Sequence, residues 1–503
     1  MTSTDDVYRF ALRQGPLRGL LHEPIEVDER VATTSGMPPP GARGNLGRPL
    51  PTGTADRLAT ARHPAGRIRG ATAGDVLVAA FGLLRREPAN PANDHRVTAS
   101  VRSKFPVHVF AVPPHGPAGY LDPYRHALVD LPAADGACGP LRPAEGDLTV
   151  VLAGRHTDLP TPYGVLRCAL ADLETGVQLR SLLVAAEVCA VAAEVRVTGP
   201  EVAHAARLVG TAGPGSWTAP VLVTLRGVGP LPPSAALEEA GGGALDAELD
   251  ALLVRESAHP SLAETAAVVA PRLTAEAAPR LTAPAGPGPG VPDLPAAPDG
   301  PDWARVWWQR SAGRVPLPLS GFSARPAVLG EDCLRDLLAW AGVPAPGGPL
   351  REAGAGVRTT VVAQRLGGLP TGRYEVADGG LRALEADPEL PRRIEQVFGY
   401  PLGPANDCGV RHAAALVVLS ADLRALTARL GPAAWGLLQV RCGWVAHGLS
   451  LGATAHGLFA RPARSFDEHH LAALLRLPPE ESPVLMAVCG RSRYAEPMLD
   501  LRP

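Results

Sequence analysis

Residues 170–186, LADLETGVQLRSLLVAA, and residues 438–454, LQVRCGWVAHGLSLGAT, decide the fold, because they repeat one pattern. Each is a long apolar-periodic stretch that predicts a buried helix. Each also carries a glycine at the same place, Gly176 and Gly443. Other landmarks recur in the same order. TVVLAGR (149–155) answers LVVLSAD (416–422), both short β-branched runs that predict buried strands. APVLVTLRG (219–227) answers SPVLMAVCG (482–490), each a strand begun at a proline and ended at a glycine. Gly443 stands 267 positions after Gly176, and Pro483 stands 263 after Pro220, so the register is held across half the chain. That is an internal repeat.

The earlier part of each half repeats more faintly. GYLDPYRHALVDL (119–131) matches GRYEVADGGLRAL (372–384), a hairpin-like segment. DRLATARHPAGRI (56–68) matches RVWWQRSAGRV (305–315), which reads as an arginine-bearing helix start. Between the halves, residues 241–302 are crowded with Ala, Pro and Gly and end in TAPAGPGPGVPDLPAAPDGP, where no apolar period survives. This segment is expected to be a linker, with one short helix over ALDAELDALLVRESAH. The expected division is an N-terminal extension (1–45), a first domain (46–240), the linker (241–302) and a second domain (303–503). Helices and strands in mixed order, with strands returning beside one another, predict an α+β sandwich in each domain.

Composition sets the outer limits. At 503 residues the chain exceeds one ordinary core. A net charge of -2 lacks the global basic bias of non-specific nucleic-acid binders. No apolar run reaches the roughly 18 residues needed to span a bilayer. The opening MTSTDDVYRF has no basic region before an apolar stretch, so a cytoplasmic protein is expected. The seven cysteines are odd in number, scattered and never spaced C-x-x-C, which argues against a disulfide framework and against a zinc site. No G-x-G-x-x-G after a strand, P-loop or G-x-S-x-G occurs, which removes the usual anchors for nucleotide-binding and hydrolase readings. Lys104 is the single lysine against 47 arginines, so an isolated arginine carries little information.

The order of motifs carries more. R-x-S-x-R, then a serine-bearing P-S-A-G-A-x-Y-P type segment before a strand, then G-x-Y-x-Y-D-P-x-x-H-x-L, then E-x-G-H-x-x-Q-N-L on a long helix resembles the SagB/ThcOx-type branch of the nitroreductase-like flavoproteins. Both halves follow that order. The resemblance implies two tandem nitroreductase-like domains forming an intramolecular pseudo-dimer, with FMN as cofactor. It also implies azoline dehydrogenase activity in ribosomal peptide biosynthesis, an azoline-containing precursor peptide as substrate, and a cyclodehydratase as partner.

Carried over residue by residue, the resemblance is uneven. Arg310, Ser311 and Arg314 match the phosphate-binding motif, with one residue inserted before the last arginine. The first half supplies Arg62 and Arg67 but has Pro64 near the serine's place. The serine motif is better kept in the first half, as Ala99, Ser100, Val101 and Arg102 followed by Phe105 and Pro106. The second half has Ala353, Gly354 and Ala355 there, without the serine. One composite FMN site is therefore expected from Arg310, Ser311, Arg314, Ser100 and Arg102, closed by Arg491 after the last strand. A phosphate dianion suits arginine forks near a helix N-terminus. The Lys-Tyr pair common in azoline dehydrogenases is reduced to Tyr163 in TPYG, which becomes the candidate catalytic residue, while the second half reads ARLG.

On the long helices, Glu174 keeps the family glutamate, against Arg441 in the second half. Glu174 is a contact to flavin or substrate, a helix cap, or an interhelical ion-pair partner. His447 and His456 are expected in the core or at an interface, and His469 and His470 on the surface, after a helix capped by Ser465 with Glu468 at its third position. Two further readings stand beside the dehydrogenase. One is a catalytically silent scaffold or leader-binding subunit; the other is a flavin-dependent reductase of an activated alkene or dehydroamino acid.

Overall fold

The computed structural model describes residues 37–61, 67–88, 90–132, 135–213, 215–238, 243–259, 262, 265–274, 302–313, 315, 321–377, 380–398, 409–495 and 498–503. In the first half, β1 (Leu46–Pro49) leads to helices α1 (Thr54–Ala59) and α2 (Ala73–Phe81). A hairpin of β2 (Leu83–Glu87) and β3 (Asn90–Arg96) follows, then β4 (Val107–Val112) and a second hairpin of β5 (Ala118–Asp122) and β6 (Ala127–Leu131). Next come β7 (Leu148–Gly154), the long helix α3 (Leu166–Val188), β8 (Ala192–Arg196), α4 (Pro200–Thr211), β9 (Val221–Arg226) and the short β10 (Ala235–Ala236). Helices α5 (Gly243–Ser257) and α6 (Thr265–Thr274) connect to the second half. That half runs α7 (Trp303–Gln309), β11 (Ala324–Arg325), α8 (Glu331–Gly342), α9 (Gly348–Ala355), β12 (Val357–Ala363), β13 (Gly372–Ala377), β14 (Gly380–Ala386) and α10 (Leu390–Glu395). It ends with β15 (Ala415–Asp422), α11 (Leu423–Leu430), the long helix α12 (Ala434–Ala455), β16 (Phe459–Ala463), α13 (Glu468–Leu474), β17 (Glu481–Ser492) and β18 (Leu499–Asp500).

The strand order of one half reads directly onto the other. The first sheet runs β10-β1-β6-β5-β4-β7-β9-β8; the second runs β14-β13-β12-β15-β17, with β11 and β16 both paired to β17. Every neighbouring strand pair is antiparallel. The central strands β7 and β15 are continuous apolar runs because each sheet is covered on both faces. Successive side chains alternate between two cores: Val150 and Leu152 face one and Val151 and Ala153 the other. In β15, Val417 and Leu419 face the helices while Leu416 and Val418 face a core that includes Phe398 and Phe466.

The halves meet on α3 and α12. Helix α3 is buried along its whole length. A Cβ at Gly176 would lie 1.9 Å from the Val440 carbonyl oxygen, and one at Gly443 would lie 1.8 Å from the Leu173 carbonyl oxygen. The two repeated glycines therefore mark one crossing point, where two helix backbones touch with no room for a side chain. A third sheet ties the same junction, since β18 at the end of the chain pairs with β2 of the first half.

Two expectations change. Among the described residues of 241–302 there are two helices, one more than expected, and both are docked. Helix α5 is fixed by Arg43 to Asp250 at 2.7 Å, and its Glu256 accepts from the Thr161 hydroxyl at 2.8 Å. Helix α6 holds a fully buried ion pair between Arg272 and Asp172 of α3, 2.9 Å apart. Its Ala-rich sequence with Pro271 inside the helix hides it from pattern reading. Before α13, the cap is Asp467, whose carboxylate accepts from the His470 amide at 3.0 Å, and not Ser465. The carboxylate at that position also bonds the His470 ring, an interaction a serine does not offer. His469 and His470 are exposed, as expected.

Gly176→Ala should destabilise the protein by about 3 kcal/mol, the upper range for forced overpacking, since backbone atoms fill the space. Gly210→Ala in α4, where a Cβ meets nothing within 4 Å, should leave stability unchanged or raise it by up to about 1 kcal/mol. Thermal or denaturant unfolding of both variants tests this; equal effects would remove the crossing-point assignment.

Candidate functional site

Arg310 lies immediately after α7, as its C-cap. The expected helix start is therefore a helix end, and the negative pole of the helix gives no help to an anion there. Attraction must come from the guanidinium itself. Arg310 is 3% exposed. Its Nη2 donates to the Arg96 carbonyl at 3.0 Å, while Nε and Nη1 have no hydrogen-bond partner among the described residues. The Arg310 carbonyl in turn accepts from Arg85 Nη2 at 2.9 Å, which sets two cations side by side. Burial and the Arg85 charge press the Arg310 pKa down to about 9, so it stays protonated at neutral pH. Arg85 is likewise pushed down to about 10 by burial, and its Nη1 lacks a partner among the described residues. A buried cation with free donors and a second cation beside it is a setting that an anion stabilises. Ser311 shapes the following turn, its hydroxyl accepting from the Gly313 amide at 3.2 Å. Gly313 needs to be glycine: φ is +63° and a Cβ would lie 2.4 Å from the Phe459 ring.

The serine motif forms a second cluster. Ser100 Oγ accepts from the Phe105 amide at 2.7 Å, and Glu174 Oε1 accepts from the Val101 amide at 2.7 Å. Arg102 Nε donates to the Tyr163 hydroxyl at 3.1 Å. Arg102, Ser103 and Phe105 all hold positive φ, at 50°, 55° and 46°. Three such residues in four positions is backbone strain of the kind that accumulates at binding and catalytic loops. The two clusters meet through Arg96: Arg310 bonds its carbonyl, and its guanidinium lies 4.3 Å from the centre of the Phe105 ring. A chain of contacts through Arg96 and Phe105 thus links Arg310 to the Ser100 loop, on which Arg102 meets Tyr163. Arg314 and Arg62 lie outside the described residues. Arg491 is exposed and stands opposite Arg325 in the sheet, and among the described residues no hydrogen bond joins it to Arg310.

Glu174 is neither a helix cap nor an ion-pair partner; it clamps the serine loop. It is 2% exposed and burial pushes its pKa up to about 8, against the Val101 and Ser100 hydrogen bonds. Its counterpart Arg441 faces the degenerate loop of the second half, where a Cβ on Gly354 would lie 2.6 Å from Arg441 Nε. His456, expected in the core or at an interface, is not in the core: it is exposed and bonds Asp336 at 2.9 Å. His447 is 1% exposed, with neither ring nitrogen hydrogen-bonded among the described residues. Burial, with Arg180 and Arg310 nearby, holds its pKa well below the usual value, so it is neutral. His447 and Arg310 line one small apolar cavity together with Trp303 and Trp307. Pattern reading missed Arg85, Arg96 and the role of Glu174. The signal for His447 was present, since it stands 267 positions after Arg180, the same offset as the glycines.

Residues 359–491 match the sequence profile of the Nitroreductase family. No curated protein matches the chain. Among solved structures, a nitroreductase-type protein from Anabaena variabilis aligns at TM-score 0.59 and 15% identity, over 98% of this chain and 100% of that one. The chain has a nitroreductase-like α+β fold. Two further similar structures overlap about a third of it and carry no more weight for the fold. One belongs to the E. coli microcin synthetase McbBCD complex with truncated pro-MccB17 (15% identity, 35% of this chain and 69% of that one, TM-score 0.29). The other is an FMN-dependent nitroreductase from Clostridium difficile (13% identity, 35% and 84%, TM-score 0.24). Nitroreductase-family proteins are FMN-dependent. Among the described residues no helix is long and apolar enough to cross a membrane.

The raised pKa of Glu174 has a signed consequence. The carboxyl titrates near 4.5 when unfolded and near 8 when folded, so its stabilising protonated form is complete below pH 4.5 and is lost as pH rises to 8. Glu174→Gln keeps an acceptor for the Val101 amide and removes the titration. Stability of the variant relative to the parent should rise steadily across that window, measured by unfolding at fixed temperature from pH 5 to 8.

Proposed function

We propose that the chain is an FMN-dependent oxidoreductase with one FMN site shared between its halves, and that it oxidises thiazolines or oxazolines on a precursor peptide. In this reading residues 46–240 and 303–503 are tandem domains folded as an intramolecular pseudo-dimer, supported by their common strand order and by the reciprocal glycines. The observation that carries the FMN site is Arg310, a buried guanidinium with two unpartnered nitrogens and a second arginine beside it. A phosphate dianion suits that donor set, in which Glu87 acts on Arg85 but Arg310 keeps two nitrogens unpartnered among the described residues. Arg310 holds the phosphate, with Ser311, Arg314 and Arg491 from the same half and Ser100 and Arg102 from the other. The isoalloxazine, when bound, supplies a hydride acceptor.

The chain's own part is positioning and proton transfer. Ser100 and Glu174 fix the loop that carries Arg102. Arg102 Nε donates to the Tyr163 oxygen and so fixes the hydroxyl, and in this reading Tyr163 takes the proton from the ring carbon derived from Cα. An azoline-bearing peptide presented by a cyclodehydratase is the substrate this reading requires. The corresponding second site is vestigial, because Arg441 stands where Glu174 does and the facing loop has no serine.

Arg310→Ala should weaken FMN retention about ten-fold or more, the cost of one charge-assisted phosphate contact, while Arg62→Ala should bind like the parent. Flavin absorbance after gel filtration reads this, and equal retention by both variants sinks the single-site assignment. An azoline peptide turned over with the parent should lose about 2 Da as two hydrogens leave. A gain of that mass assigns the reductase alternative. A colourless protein after reconstitution leaves the scaffold.

A further inference from the structure

Helix α5 does more than bridge the halves, because its last turn meets the loop that carries Tyr163. Thr161, Pro162 and Tyr163 form a single 3-10 turn, closed by Gly164 at φ 51° and ψ -132°. The Tyr163 amide donates to the Pro160 carbonyl at 3.0 Å, and the Gly164 amide to the Thr161 carbonyl at 2.9 Å. One such turn stabilises itself weakly, since its hydrogen-bond geometry is poor and a first helical turn is a costly nucleus. The corresponding ARLG of the second half is self-supporting: Ala428 to Leu430 end helix α11, and Gly431 keeps a similar geometry at φ 63° and ψ -156°.

Glu256 supplies support to the first-half turn from outside. Helix α5 is seated by the buried Leu252 and Leu253 and by the Arg43 to Asp250 ion pair, and the Glu256 side chain is 13% exposed. Its Oε2 accepts from the Thr161 hydroxyl at 2.8 Å, at the start of the turn. The same oxygen lies 3.7 Å from Nη1 of Arg167, whose side chain is fully buried. Arg167 Nε donates to the Gly164 carbonyl at 3.2 Å, at the end of the turn. One carboxylate therefore holds both ends, directly and through a guanidinium. Burial lowers the Arg167 pKa and the Glu256 charge opposes that, so losing the carboxylate removes a counter-charge from a buried cation. Tyr163 sits between the two anchored ends, its hydroxyl accepting from Arg102 Nε at 3.1 Å.

We infer that Glu256 is a positioning residue for Tyr163: by clamping Thr161 and, through Arg167, Gly164, it sets where the Tyr163 hydroxyl meets Arg102. A connector between the halves thereby becomes part of the site. A tyrosine ring turns about two side-chain torsions with few preferred values, so the place of its oxygen follows the backbone of the turn. The effect on turnover rests on the reading of Tyr163 as proton acceptor, while the clamp stands on geometry alone. A base must lie within hydrogen-bond reach of the proton it takes. Loosening the turn therefore slows the chemical step and leaves peptide and flavin binding alone.

The test uses the full-length chain labelled with meta-fluorotyrosine, in which the resonance lost in Tyr163→Phe is that of Tyr163. In fluorine NMR, Glu256→Ala and Thr161→Val should each shift or broaden that resonance and leave the other tyrosines in place. Thr161→Val removes one hydroxyl at nearly constant volume, and so reads the clamp even where Glu256→Ala fails to fold. With FMN and an azoline peptide, Glu256→Ala should lower kcat about ten-fold, the scale of a small misplacement of a reacting group, at unchanged KM and flavin absorbance. Glu256→Gln, which still accepts from Thr161 but leaves Arg167 without its counter-charge, should fall between. In the Tyr163→Phe background, Glu256→Ala should cost nothing further. The inference is overturned by an unmoved Tyr163 resonance in both variants, by shifts spread over all the tyrosines, or by an equal loss of kcat in both backgrounds. A full kcat in Tyr163→Phe, or a parent that turns over no azoline, removes the proton-transfer reading instead, and the fluorine spectrum then decides the clamp on its own.

Discussion

The backbone contact between Gly176 and Gly443 is the constraint on which the rest of the molecule depends. With a Cβ excluded on both sides, α3 and α12 have one crossing point and one rotation in which their backbones can touch. Helical periodicity then assigns every other residue of the two helices a direction. Residues two before the glycines, Glu174 and Arg441, point at the loop that precedes β4 and at the end of α9 before β12. Residues four after them, Arg180 and His447, point into the partner half. A single close approach thus places four polar side chains that no local signal could position.

Equivalent places carry opposite chemistry. Glu174, kept largely neutral by burial, accepts from the Val101 amide and holds a strained loop with three left-handed residues. Arg441 packs over Gly354, where the loop has become the end of a regular helix, α9. A carboxyl can accept the amides of an irregular loop; a guanidinium only donates. Once the glutamate is replaced, the loop loses its clamp, and a helix that satisfies its own amides is the stable alternative. The asymmetry between the halves follows from that exchange, and with it the proposal of one working site instead of two.

Much of the fold was legible because periodicity and punctuation are local. The long helices, the strands β7, β9, β15 and β17 and both hairpins lie where the repeated landmarks put them. What escaped is held by distant partners. Helix α6 contains Pro271 and little apolar contrast, and is secured by the Arg272 to Asp172 ion pair about a hundred residues away. Strand β18 is two residues long and exists through pairing with β2. The capping residue of α13 was misread because Ser465 and Asp467 are both good caps, and only the hydrogen bond to the His470 amide distinguishes them. The site residues were legible only as residue types, and the placement of Arg310 at a helix end, where a helix start was expected, was not.

That last point turns on how a buried arginine is satisfied. Arg180 is fully buried, yet its Nη1 and Nη2 donate to the carbonyls of Trp444 at 2.9 Å and Trp340 at 2.6 Å, and its plane lies near both indoles. Gly448 leaves the space it occupies, since a Cβ there would lie 2.0 Å from its Nη1. Arg180 is therefore a structural strut, its charge spread over carbonyl dipoles and ring faces. Arg310 has the same burial but one carbonyl acceptor, where Arg180 has two carbonyls and two indole faces. With 47 arginines in the chain, residue type could not separate these roles. The separating quantity is how many guanidinium N–H groups the fold itself consumes, and Arg310 is left with the capacity that an anionic ligand would fill.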